Sequence, residues 1–188
     1  MILNRAIRFF YLSIWGKAVN TCRILKIKLL YPSVSIDFGS TIGNNCSIAC
    51  CDSATLVIKN SQIGNGTFIF ADENANIEIK DSFVFWNCNI TAKKSITIDS
   101  GCAIAEMVVI RDQNHIVDPS NTQNPFENYD IAPIKIGKNV WIGAKASILK
   151  GATLEDYTII AASAVVNTTV PSKQVWGGIP AKFLKSIN

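Results

Sequence analysis

Charged side chains are scarce in this sequence: Asp, Glu, Lys and Arg make up 17% of its 188 residues, and the net charge is only +4. That mild balance, without clustered Lys and Arg, excludes a nucleic-acid groove and suits a small polyanionic ligand better. Histidine is rarer still. His115 stands alone, no CxxC pair or Cys/His cluster accompanies it, and no zinc or other metal site is expected. Cysteine is present six times, but Cys50 and Cys51 are neighbours, which makes independent bridging awkward, and no cleavable signal peptide is read. Reduced thiols in a cytoplasmic chain follow as the expectation. Long apolar runs are also missing, because Arg5, Arg8, Lys17, Arg23, Lys26 and Lys28 interrupt the N-terminal stretch before it reaches the roughly 18 to 20 residues of a membrane span.

What the sequence does have is apolar material, 48% of its residues, enough for one domain with a substantial core. Near the N-terminus Ile7, Phe10, Tyr11, Ile14 and Ala18 recur at helical spacing. Such a helix has two uses, docking on the rest of the protein or resting on an anionic membrane surface, and docking is the expectation taken forward.

Further on, the spacing changes. Ile136, Ile142, Ile148, Leu154, Ile160 and Val166 recur every six residues, and shorter runs of the same period occur at Ile36–Ile42–Ile48, Val57–Ile63–Ile69, Val84–Ile90–Ile96 and Ile98–Ile104–Ile110. Six matches neither the 3.6 of a helix nor the 2 of a strand, so short strands joined by turns are predicted. Three such units complete a coil, and the repeated aliphatic side chain points inward onto the coils above and below. Gly43, Gly64, Gly137 and Gly143 follow the aliphatic residue, as tight corners favour. Two places before it stand Cys46, Cys88, Cys102, Val140, Ala146, Ala152, Thr158 and Ala164, small enough for an interior corner, which gives three cysteines a packing role. Glu155 and Ala161 replace the glycine and should alter only local turn geometry. Three segments result: a helical segment at 1–32, a β-helix at 33–170 interrupted by a loop at 111–133, and a C-terminal tail at 171–188. The hand of the coil does not follow from the period.

The stretch Ile136-Gly-Lys-Asn-Val-Trp-Ile-Gly-Ala, continuing through Ala161-Ala-Ser-Ala-Val-Val to Val175-Trp-Gly-Gly-Ile-Pro-Ala-Lys, resembles the C-terminal half of the galactoside, maltose and polysaccharide O-acetyltransferases of the hexapeptide-repeat superfamily. The resemblance implies an all-β fold, a left-handed parallel β-helix with an N-terminal helical segment and a projecting catalytic loop. It also implies a homotrimer, acetyl-CoA as acyl donor in a groove between subunits, and a loop histidine acting as base. The interruption at Arg111–Pro133, rich in Asn, Asp and Pro, carries His115 in that position. An imidazole that takes the proton of an attacking hydroxyl contributes on the order of 100- to 10,000-fold in rate, and no acyl-enzyme is needed. Asp112 and Asp118 are candidates to orient the imidazole, each with turn capping as its alternative.

The resemblance further implies that Asn87 contacts the acceptor or acetyl group, that Ala144 and Ala162 offer backbone contacts to the pantetheine arm, and that Trp141 lines the groove, unless it merely packs. Lys182 and Lys185 take the places of basic residues that meet CoA phosphates. Asn167 and Thr168 stand where relatives carry Thr-Lys, which removes one such charge. A basic, amphipathic N-terminus resembles capsule and lipopolysaccharide acetyltransferases, so a sugar hydroxyl of a bacterial surface polysaccharide or its precursor is the expected acceptor. Serine, a free sugar, an amino-sugar nucleotide or an antibiotic are alternatives, as is a non-catalytic scaffold. The related β-helix carbonic anhydrase needs three histidines, and this chain has one.

Overall fold

The computed structural model describes residues 2–124 and 126–187, with side chains from Trp15 onward. The period of six becomes a three-sided prism. Val34–Ile36, Thr55–Lys59, Asn76–Lys80, Ser95–Ile98, Ile134–Ile136, Thr153–Leu154 and Thr169–Val170 stack in parallel as the first sheet. Thr41–Ile42, Gln62–Ile63, Phe83–Val84, Ala103–Ile104, Trp141–Ile142 and Ile159–Ile160 begin the second, and Ser47–Cys50, Phe68–Ala71, Asn89–Ala92, Val109–Arg111, Ser147–Leu149 and Val165–Val166 form the third. The chain visits the sheets in that order on each coil, so every strand inside the stack pairs with the coils above and below.

Alternation within each short strand sends one side chain in and the next out, and the inward set, Ile142, Ile148, Leu154, Ile160 and Val166 among them, is fully buried. One early register is corrected. Val57 lies on the outer face and its neighbours Leu56 and Ile58 point inward. The cause is coil length: Ile36 stacks on Ile58, 22 positions on, and Ile58 on Ile79, 21 positions on, whereas Ile136 stacks on Leu154 after 18. Only the later coils are three plain hexads; the earlier ones carry five-residue strands on the first sheet.

The corners are built differently from expectation. Gly43 and Gly143 do not have positive φ; a Cβ on either would sit 2.6 Å from a backbone nitrogen of the next coil, Asn65 N or Ala162 N. Glycine is required there by close approach, and the left-handed backbone falls to residues such as Asn45, Asn87 and Asn139, each at φ 55°. Where glycine is absent, the coil-to-coil bonds persist, from Glu155 N to Val170 O at 3.0 Å and from Ala161 N to Trp176 O at 2.8 Å. The small corner residues are buried as predicted, apart from the half-buried Cys46. The Cys88 thiol donates to Ala105 O at 3.1 Å and that of Cys102 to Gly137 O at 3.0 Å, and burial pushes Cys88 up to about 11. These are satisfied packing groups rather than reactive thiols.

Both ends of the stack are closed. At one end the helix Ile2–Leu30 lies against the first coil, with Ile24 fully buried and Ile27 and Tyr31 packed beside it. Asn20 donates to Ser40 O at 2.9 Å and accepts from Ile42 N at 2.8 Å, while Arg23 donates to Ile42 O at 2.8 Å and to the Asn44 side chain. Two helix side chains thus satisfy the outer edge of the Thr41–Ile42 strand. Docking is the outcome here, but through residues later than those expected: Ala18 faces solvent, and the side chains of Ile7, Phe10, Tyr11 and Ile14 lie outside the described residues. At the other end Gln174–Gly178 extends the second sheet and Ala181–Ser186 folds back antiparallel on it, so the segment expected as a tail is a hairpin.

Candidate active site

The coil is interrupted where the period of six breaks. After Val109–Arg111 the chain leaves the corner between the third and first sheets, forms an antiparallel pair from Gln113–His115 and Tyr129–Ile131, and rejoins the stack at Ile134–Ile136. His115 opposes Tyr129, with ring centroids 4.4 Å apart. Its Nδ1 lies 2.6 Å from the Phe126 carbonyl oxygen. A carbonyl only accepts, so Nδ1 carries the proton and Nε2 keeps a free lone pair.

Asp112 does not orient His115, which corrects the expectation. Its side chain is fully buried and accepts from Lys93 N at 2.7 Å and Lys94 N at 2.8 Å, while its own carbonyl accepts from Ala132 N at 3.0 Å. Asp112 therefore ties the base of the hairpin to the coil before it. Burial pushes its carboxyl up, against the pull of those N–H bonds. Asp118 caps its own turn through the Ser120 hydroxyl and N–H, which hold its carboxyl below the usual range. The imidazole's partner is a backbone carbonyl, a group no side-chain pattern announces.

Beside His115 a cavity of about 290 Å³ is lined by Lys93, Asp72, Arg111, Thr91, Asn114 and Tyr129, among others. The Lys93 ammonium pairs with Asp72 and sits 4.0 Å over the Tyr129 ring. The Lys93 bond holds the Asp72 carboxyl down; for Lys93 itself burial opposes the charge, but Asp72 outweighs it and raises the ammonium. Within the same wall Gln113 donates to Thr91 Oγ1 at 3.4 Å, and its buried Oε1 has no partner among the described residues. Lys93, Asp72, Arg111 and Tyr129 were not singled out from the sequence, because they come from three coils and the hairpin with no common spacing.

A second cleft, of about 380 Å³, lies at the corner between the second and third sheets and is lined by Trp141, Gly143, Ala144, Ala161, Ala162 and Glu106. The structure thus brings Trp141, Ala144 and Ala162 together, and the Trp141 ring is 54% exposed, which removes core packing as its role. Among the described residues the N–H groups of Ala144 and Ala162 donate to no other backbone group. Asn87 is on the same ridge, below the cleft, in a left-handed corner whose N–H donates to Asn65 O at 2.9 Å. Lys185 pairs with Val175 and Lys182 with Gly177; both are exposed on the outermost strand of the second sheet, two strand spacings or about 10 Å beyond Ile159.

Asn167 and Thr168 are not part of that cleft. They occupy the ridge between the third and first sheets, the ridge from which His115 projects. From Asn87 to Lys93 the third sheet spans six residues, about 20 Å at 3.3 Å each, so within one copy the two ridges stand apart. Among the described residues no group of three or more His, Cys, Asp or Glu is placed to hold a metal ion, and no helix is long and apolar enough to cross a membrane.

Comparison with known proteins bears on this arrangement directly. The pattern of the family "Bacterial transferase hexapeptide (six repeats)" matches residues 133–168. Nodulation protein L of Rhizobium meliloti is 34% identical over 126 residues, covering 64% of this chain and 68% of that protein. The chain belongs to the hexapeptide-repeat acyltransferase family. Over a longer stretch, this hexapeptide-repeat chain is 26% identical to the Escherichia coli K12 protein WbbJ, named for lipopolysaccharide biosynthesis O-acetyl transfer, with 90% of this chain and 81% of that one covered. It is 31% identical to E. coli galactoside O-acetyltransferase but spans only 59% of that enzyme's length. A solved galactoside acetyltransferase in complex with coenzyme A superposes with a TM-score of 0.60 at 23% identity, covering 86% of this chain and 68% of that one. The fold of this hexapeptide-repeat acyltransferase is accordingly a left-handed parallel β-helix of about six turns.

Proposed function

We propose that this hexapeptide-repeat protein transfers the acetyl group of acetyl-CoA to a sugar hydroxyl of a bacterial surface polysaccharide or its precursor. The observation that carries the reading is the 2.6 Å contact of His115 Nδ1 with Phe126 O in a residue that lines a polar cavity: because the carbonyl only accepts, Nδ1 donates and Nε2 is the nitrogen left to accept a proton. In the reaction His115 Nε2 takes the acceptor's hydroxyl proton as that oxygen bonds to the thioester carbonyl carbon, the C–S bond breaks, and His115 returns the proton to the departing thiolate. The Trp141 cleft, with the unengaged N–H groups of Ala144 and Ala162 at its edge, suits the amide-bearing pantetheine arm, and Lys182 and Lys185 suit the phosphates. Lys93, Arg111 and the Tyr129 hydroxyl offer hydrogen-bond donors to a sugar.

The separation of the two ridges supports a homotrimer. His115, Asn167 and Thr168 stand on one ridge and Trp141, Ala144, Ala162 and Asn87 on another, so a threefold ring that sets one copy's first ridge against the next copy's second completes three equivalent sites. The similarity to WbbJ supports a polysaccharide-linked acceptor, and the free thiols are in keeping with a reducing cytoplasm. Purified protein is incubated with acetyl-CoA and a panel of glycans, and released CoA thiol is measured. Release well above that of His115→Ala is expected with a surface glycan; no difference between the two proteins for any glycan defeats the reading.

A further inference from the structure

The helix Ile2–Leu30 has two apolar faces, and the coil covers only one of them. The inner face carries Asn20, Ile24, Ile27 and, just past the helix, Tyr31. On the outside Trp15, Ala18, Cys22, Leu25 and Leu29 recur at steps of three and four, all exposed, Leu29 at 83% and Leu25 at 52%. At 3.6 residues per turn this outer stripe fits an arc of about 80°, centred about 170° from the docked face. Lys26 borders the stripe on one side and Lys17 and Lys28 on the other, the layout of a helix that lies flat in an interface with lysines reaching the headgroups.

Charge identifies what covers that face. The first 36 residues hold six basic and no acidic residues, whereas the remaining chain holds 12 basic and 14 acidic. The protein's whole positive excess is therefore on this helix. A second copy of the same helix would bring six cations against six, and such like-charge pairing opposes self-association. An anionic bilayer surface offers both the apolar depth for Leu25 and Leu29 and the opposite charge.

We infer that the outer face of the N-terminal helix is a peripheral docking surface for anionic lipid, while its inner face plugs the β-helix. Docking on the protein and resting on a membrane are then one arrangement, because each uses a different side of the helix. The inference is independent of the reaction catalysed.

The full-length protein is sedimented with vesicles of phosphatidylcholine alone and with 30% phosphatidylglycerol, at low and high salt. Binding to the mixed vesicles is expected, with little to phosphatidylcholine and a marked loss at high salt. Replacing Lys17 and Lys26 by Gln should weaken partition about fivefold per charge, and Leu25→Ser with Leu29→Ser by at least about tenfold. Both pairs are solvent-facing, so melting temperature should be unchanged and serves as the control for folding. No binding to the mixed vesicles, equal binding to phosphatidylcholine, or a Leu25/Leu29-dependent increase in oligomer size in place of vesicle binding would each overturn the inference.

Discussion

Asp112 gives the sharpest test of how the hairpin is held. Asp112→Ala strands the N–H groups of Lys93 and Lys94, bonded at 2.7 and 2.8 Å to the two oxygens of the buried carboxylate. Hydrogen bonds to a charged group are worth roughly 1.5–3 kcal/mol each, so the pair amounts to about 3–6 kcal/mol. For a chain of this length each kcal/mol moves the melting temperature by about 2–4 °C, which predicts a fall of roughly 6–24 °C. The assay is thermal unfolding followed by circular dichroism, run beside the pH profile of kcat well below the melting point. Because both carboxylate oxygens are engaged at the corner, the apparent pKa in that profile should stay where it is in the unmodified protein. The sign of the stability effect with pH also follows. Burial raises the native Asp112 pKa above its ordinary 3.8, so the native state binds the proton more tightly and this group's contribution falls as pH rises through that window. Against Asp112→Asn, which has no such titration, the stability gap should narrow with rising pH. A melting temperature changed by less than about 2 °C in Asp112→Ala, or a displaced pH profile, refutes the assignment of Asp112 to the corner and returns it to the imidazole.

Three further outcomes are expected. His115→Ala should lower kcat by about 100- to 10,000-fold while leaving CoA affinity, measured by calorimetry, within about twofold. Gly143→Ala places a Cβ 2.6 Å from Ala162 N, and should cost roughly 1–3 kcal/mol of stability and raise the KM for acetyl-CoA, since the forced separation opens the Trp141 cleft. Asn20→Ala removes two bonds to the edge of the first coil, and should cost about 1–3 kcal/mol, with amide exchange quickened at Ile42.

The architecture was legible to the extent that coils are regular. From Ile136 to Val166 each turn is three hexads, and one aliphatic residue per hexad marks the core without ambiguity. Earlier coils add residues to the first sheet, so two inward residues share a strand there and Val57 was read one place out of register. The corner glycines were identified correctly, but for a reason of backbone conformation when coil spacing is what demands them. His115 stood out because a long polar insertion in a tight repeat has few other uses. Its partner did not, since a carbonyl leaves no mark on residue type, and the Lys93–Asp72–Tyr129 cluster is assembled by stacking distance rather than sequence distance. Asn20 and Arg23 look like ordinary polar positions on a helix until the strand edge they serve is seen.

That strand edge has a consequence for solubility. A solenoid grows by adding identical rungs, and an uncovered terminal rung would accept one from any neighbouring molecule as readily as from its own chain. With amide and guanidinium groups filling one terminus and a reversed hairpin turning back the other, the column has a definite length, and copies can meet along their flanks without joining tip to tip.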